Sequence, residues 1–172
     1  LTVKWNPIYW NTACLIVNSG SLEEDSTDNY DEETGEIAKK ESTTDYKKLA
    51  TALGKIIQQG IKVSLVDINR SNYGFEPDVK NNQILFGMKA LSGINASTID
   101  EIIENRPYRS LKEFLNKCSD LKKPQVITLI KSGAFDNFGE RVQIMHSYID
   151  MISDTKKRIT LQNMKMLIDF NL

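Results

Sequence analysis

Three observations predict a mainly α chain with a small β element, organised as a multi-helix domain. Apolar residues recur at helical spacing in most segments of the 172-residue chain. Period-two alternation is confined to two short runs, Ile61-Lys-Val-Ser-Leu-Val66 and Gln83-Ile-Leu-Phe86, too little to form the main core. Helix-stopping residues separate the segments, as at Asn18-Ser-Gly20, Gly60 and Ser132-Gly133.

Taken in order, Asn6-Pro7 opens the first helix, with Asn as the cap and Pro at the first helical position. Trp10, Ala13, Cys14 and Val17 form its apolar stripe, and Trp5 and Trp10 anchor it on a core. Base stacking by either tryptophan is the alternative. From Ser21 to Thr44 the chain has almost no apolar residues besides Leu22, Tyr30, Ile37 and Ala38, so it cannot offset the entropy of ordering. It reads as a solvated insertion, because the acidic spacing of a calcium loop is not met. Asp45 caps a second helix with Leu49, Leu53, Ile56 and Ile57 as its stripe. The first short strand follows, then the turn-rich Asp67-Ile-Asn-Arg-Ser-Asn-Tyr-Gly74 and the second strand.

The centre of the chain is Leu85-Phe-Gly-Met-Lys-Ala-Leu-Ser-Gly-Ile-Asn-Ala-Ser-Thr-Ile-Asp-Glu-Ile-Ile-Glu-Asn-Arg106. Gly93 and Asn95 tolerate positive φ, so a sharp reversal is expected before a helix whose apolar face is Ile99, Ile102 and Ile103. The unpaired amides at that helix start suit a phosphate. This pattern is a helix-hairpin-helix in which the Gly93, Ile94 and Asn95 amides hold the anion. Lys89 and the hydroxyls of Ser92 and Ser97 are close enough in sequence to assist. Asp100 and Glu101 soften the site, and an ordinary structural corner remains the alternative.

Beyond Arg106-Pro107, Ser110 caps a helix with Leu111, Phe114 and Leu115 inward. Pro124 opens the next, carrying Val126, Ile127, Leu129 and Ile130. Lys131, Ser132 and Gly133 then form either a second, weaker hairpin of the same type or a glycine C-cap. Lys122-Lys123 between these helices is either solvated or a phosphate clamp. Ala134-Phe-Asp-Asn-Phe-Gly139 is a compact turn whose two aromatics plug the core, and Glu140 to Ile152 is a further helix with Val142, Ile144, Met145, Tyr148, Ile149 and Ile152 inward. Arg158 to Leu172 is again apolar at helical spacing.

The totals exclude several function classes. No apolar run reaches membrane-spanning length, and Leu1-Thr-Val-Lys-Trp5 is not a signal peptide. Because Leu1 is not an initiator Met, the chain is expected to be a piece of something longer or processed. Cys14 and Cys118 stand apart without metal spacing, as expected of reduced thiols in a cytoplasmic protein. The net charge of −1 hides an asymmetry: residues 21–45 hold ten acidic and two basic residues, leaving 20 basic against 13 acidic elsewhere. A mildly basic body is compatible with a polyanionic partner. His146 lies in a helical pattern with no nucleophile beside it, and no phosphate loop or metal motif occurs. No catalytic residue and no metal ligand is identified, so the chain alone is expected to be inactive.

The order of segments carries more than any one motif. Gly60-Ile-Lys-Val, Asp67-Ile-Asn-Arg-Ser71, Ile84-Leu-Phe-Gly-Met-Lys-Ala-Leu-Ser-Gly-Ile-Asn95, Ser110-Leu-Lys-Glu-Phe114 and Leu129-Ile-Lys-Ser-Gly-Ala-Phe-Asp-Asn-Phe-Gly139 follow one another. The series resembles the bacterial DNA polymerase III alpha subunit, a C-family replicative polymerase, over its late fingers and helix-hairpin-helix region. Asn95 stands where that family carries a second Gly, and the long acidic stretch suggests a divergent, phage-encoded member. The resemblance implies fingers-like residues 1–80, a DNA-binding helix-hairpin-helix region at 81–155, and a helical extension at 156–172. It implies a non-catalytic fragment that grips duplex primer–template phosphates, with the remainder of the polymerase as partner. It also implies a divalent metal, Mg, only in the parent's palm domain, whose catalytic carboxylates match nothing here. Gln162-Asn-Met-Lys-Met-Leu167 is faintly similar to the family's sliding-clamp motif but lacks its aromatic. A protein-interaction module of the replication machinery and a stand-alone helix-hairpin-helix repair accessory are the alternatives.

Overall fold

The computed structural model describes residues 6–20, 44–153, 164–165 and 168. Trp5, the acidic residues 21–43 and most of the clamp-like 162–167 lie outside the described residues.

Helix α1 (Pro7–Asn18) is capped by Asn6, whose side chain accepts from the Ile8 amide at 3.0 Å. Its buried face is Ile8, Thr12 and Leu15, with Asn11 at the edge. The tryptophan stripe expected to be buried is instead the outer one. Trp10 is 55% exposed and Val17 60%, because the register of Ile8 and Leu15 turns the Trp10 side outward. Helix α2 (Tyr46–Gln58) starts at Asp45, which accepts from the Lys48 amide at 3.0 Å. It buries Leu49 and Ile56, whereas Ile57 stays 62% exposed.

The β element is a three-stranded sheet of order β1-β3-β2. β1 (Lys62–Val63) runs parallel to β3 (Gln83–Leu85), and β2 (Glu76–Asp78) runs antiparallel to it. Pro77 is tolerated because β2 is an edge strand. Ile84, at the centre, is fully buried and joins Ile8, Leu15, Leu49, Ile56 and Phe75 in one hydrophobic cluster.

A second, larger cluster is built from α3 (Ala96–Glu104), α4 (Leu111–Lys117), α5 (Lys123–Ser132) and α6 (Arg141–Ile152). Ile99, Ile102, Phe114, Val126, Leu129, Phe135 and Met145 are its centre, and Phe86 packs against both clusters. Tyr108, Phe114 and Phe135 stack edge to face with centroids 5.0 Å apart at each step. The Phe135–Phe138 turn thus does fill the core from one end, while Val142 remains 43% exposed.

The Asp67–Ser71 loop ties this cluster together. Asn69 makes a reciprocal pair with the backbone of Tyr108, at 2.8 Å in each direction. The Arg106 guanidinium donates to the carbonyls of Ile68 and Ser71 and to Asn72 Oδ1. On its other side the loop takes the Ile68 amide to the Ala134 carbonyl at 2.9 Å and Asn137 Nδ2 to Asp67 Oδ2 at 2.8 Å. The loop thereby holds the entry to α4 and the exit of α5 in fixed relation to the segment that feeds the hairpin.

Candidate nucleic-acid interface

The arm entering the hairpin is a single 3₁₀ turn, Met88–Ala90. Fully buried Met88 anchors it, and its amides at Met88 and Lys89 donate to the Asn72 and Tyr73 carbonyls at 2.9 and 3.0 Å. Lys89 is half-buried, with its ammonium 5.9 Å from the Tyr73 ring centroid. The chain then reverses at Gly93, which takes φ +80°. Ile94, 5% exposed, pins the turn to the core from below, while Ser92, Gly93, Asn95 and Ser97 stay exposed. A Cβ built on Gly93 would meet nothing within 4 Å, so the turn faces open space.

Asn95 corrects one expectation. It does not enter the left-handed region: its φ of −92° and ψ of 167° are extended, and its side chain accepts from the Thr98 amide at 3.1 Å. Asn is a strong N-cap, and capping α3 satisfies an otherwise orphaned donor without backbone strain. The amides of Gly93, Ile94 and Asn95 have no acceptor among the described residues. Three donors on a turn ahead of a helix N-terminus are chemically suited to an anion.

Lys131, Ser132 and Gly133 sit elsewhere. They end α5, a ten-residue helix whose first turn bonds to α3 through Gln125 and Thr98; the two ends of α5 are roughly 15 Å apart. Gly133 takes φ +88°, and its amide and that of Ala134 donate to Ile130 and Leu129. Arg141 closes the turn, donating to the Lys131 carbonyl at 3.1 Å and pairing with Asp136. These amides are used in capping the helix, the glycine C-cap alternative.

A different turn stands beside the first. Gln125, in the first turn of α5, donates to Thr98 Oγ1, in the first turn of α3, at 3.0 Å, and accepts from the Lys122 amide at 2.9 Å. Lys122 occupies in α5 the cap position that Asn95 occupies in α3, both with extended backbone. At the same constant offset Leu121 matches Ile94, Val126 matches Ile99, Leu129 matches Ile102 and Ile130 matches Ile103. The segment from Cys118 to Lys123 is therefore the counterpart of the Leu91–Ala96 hairpin. Sequence reading missed it because Asp120 stands where Gly93 does, and a glycine was the feature sought. The repeated apolar spacing was the available signal. This second turn carries exposed Lys122 and Lys123, side by side with the Ser97–Thr98 turn.

A helix-hairpin-helix motif model matches residues 60–145, half of the sequence. The chain belongs to the helix-hairpin-helix family. Across its whole length this helix-hairpin-helix chain is 47% identical to a probable DNA polymerase, YorL, of Bacillus subtilis (strain 168). It is equally similar to a DNA-directed DNA polymerase of Bacillus phage SPbeta. Over 64% of its length it is 34% identical to the DNA polymerase III subunit alpha of Deinococcus radiodurans. The resemblance to C-family polymerases, including a phage-encoded one, thus holds, and the chain spans 13% of the length of the first two relatives. Among the described residues no three His, Cys, Asp or Glu side chains are grouped so as to hold a metal ion, and no helix is long and apolar enough to cross a membrane.

Proposed function

We propose that this chain is the non-catalytic DNA-gripping segment of a C-family replicative polymerase, holding duplex phosphates without reading sequence. The observation that carries this reading is the Ser92–Asn95 turn ahead of α3, where three amides have no acceptor among the described residues and the missing Cβ of Gly93 faces open space. Ser92 and Ser97 hydroxyls flank these amides, and Lys89 adds charge from the incoming arm. Lys122 and Lys123 supply a second group of donors across the Thr98–Gln125 contact, so that two neighbouring turns can meet the two backbones of one duplex. In the parent, a palm outside this chain would add deoxynucleotides to a primer with divalent metal ions in the cytoplasm, and this segment would keep primer–template in register.

The test is duplex affinity measured against salt with the full chain. Sequence-indifferent binding is expected, with a log–log slope of roughly −4 for four or five phosphates. No binding at low salt by a chain whose circular dichroism is intact would overturn the reading in favour of a protein-interaction module. Marked preference for forks over plain duplex would favour a repair accessory.

A further inference from the structure

We infer a second nucleic-acid site, specific for single strands, in the groove between α1 and α2. It lies outside the hairpin and goes beyond the duplex-gripping reading. The groove has a volume of about 1010 Å³ and two chemically different walls. One wall is α1, which presents the Trp10 indole, 55% exposed. The other is α2, which presents Lys47 and Lys55 two turns apart on one face, roughly 12 Å along the helix. Neither lysine has an ion-pair partner among the described residues. The acid lining the groove, Asp45, is already engaged with Lys48 at 3.1 Å and with the α2 cap. Asn11 and Gln59 also line the groove and are bonded to each other, Asn11 Nδ2 donating to Gln59 Oε1 at 2.8 Å.

Each wall alone has a bland explanation, and it is their opposition that selects a ligand. A large flat indole left in water beside an unpaired cationic row needs an occupant with both π faces and phosphates. A nucleotide strand has one of each per residue, and base–aromatic stacking is tolerant of sequence. A duplex cannot use the indole, because its bases are already stacked. An acidic peptide would match the lysines but leave Trp10 without a stacking partner.

The experiment follows Trp10 fluorescence in a full chain carrying Trp5→Phe, so that Trp10 is the sole tryptophan. Titration with short oligothymidylate, which forms no duplex, is expected to quench it saturably. Adding Lys47→Gln and Lys55→Gln should weaken that binding about tenfold and make the log–log salt slope shallower by roughly 1.4. Gly93→Ala should lower duplex affinity and leave the quenching unchanged. Duplex binding can therefore fail while the groove site stands, and the reverse. Absence of quenching at low salt in a folded chain would overturn the proposal. So would quenching indifferent to the two lysine substitutions, or equal quenching by a polyglutamate peptide.

Discussion

Two glycine turns in this molecule share a left-handed backbone and little else. Gly93 at φ +80° is exposed, has nothing within 4 Å of its missing Cβ, and leads into α3 three amides without an acceptor among the described residues. Gly133 at φ +88° is buried under Arg141 and Asp136, and its amide is used in closing α5. In sequence each is a small residue next to Ser at a helix end. The difference lies in direction: a turn before a helix leaves donors over, whereas a turn after one can return its donors to the last carbonyls. Position relative to the helix, more than the glycine itself, separates a binding turn from a structural one.

The comparison can be broken or sharpened experimentally. Neutralising Lys122 and Lys123 to Gln should remove two phosphate contacts, lowering duplex affinity roughly sixtyfold at 0.1 M salt and making the salt slope shallower by about 1.8. Lys131→Gln, at the closed turn, should change it by no more than about twofold; equal losses in the two variants would erase the distinction. Gly133→Ala places a Cβ 2.6 Å from Arg141 Nη2 and 2.8 Å from Asp136 Oδ2 in a left-handed backbone. It should cost about 2 kcal/mol of stability or more in urea unfolding. Gly93→Ala meets no atom and should cost roughly 1 kcal/mol from φ alone, yet weaken duplex binding about tenfold by interrupting charge-assisted amide contacts.

The smallest effect belongs to neither turn. Asp78 accepts from Asn81 and Gln83 and pairs with Arg70, and these partners, the first two most, hold its carboxyl down at about 2. A depressed carboxyl stabilises the fold above its unfolded value of about 4, and that contribution is lost as pH falls towards 2. Asp78→Asn should flatten the acid limb of a stability–pH curve in that window without altering duplex affinity. A change in affinity would mean that the sheet and the hairpin are energetically coupled.

Much of the fold was legible because the relevant forces are local. Asp45 and Ser110 cap their helices as their positions suggest, and Leu111, Phe114, Val126, Leu129 and Ile130 point inward at helical spacing. What escaped depended on competition or on distant partners. At Asn95 two local preferences, left-handed turn and N-cap, were both available, and the free Thr98 amide decides for the cap. Trp10 was misplaced because hydrophobicity marks a residue as costly to expose but does not say which face of α1 Ile8 and Leu15 claim. Strand β2, Glu-Pro-Asp, has no apolar alternation and exists only because β3 offers it an edge. The sequence marks Lys122-Lys123 as a candidate phosphate clamp, but its place in a second hairpin shows only when the chain is overlaid on itself. The Asp67–Ser71 motif supported a resemblance in sequence, but its physical task, bracing Tyr108, Arg106 and Ala134 together, needed three distant segments on the page.

One consequence follows from the donors at the Ser92–Asn95 turn being peptide groups. Every amino acid except proline supplies the same N–H at a given position, so side-chain replacement at exposed Ser92 edits the fit and leaves the donor in place. Such a surface can drift in composition while its chemistry persists, provided the turn keeps its path. What has to be kept is the curve of the chain, and it is the buried anchors Met88 and Ile94, far more than the exposed residues above them, that carry that curve.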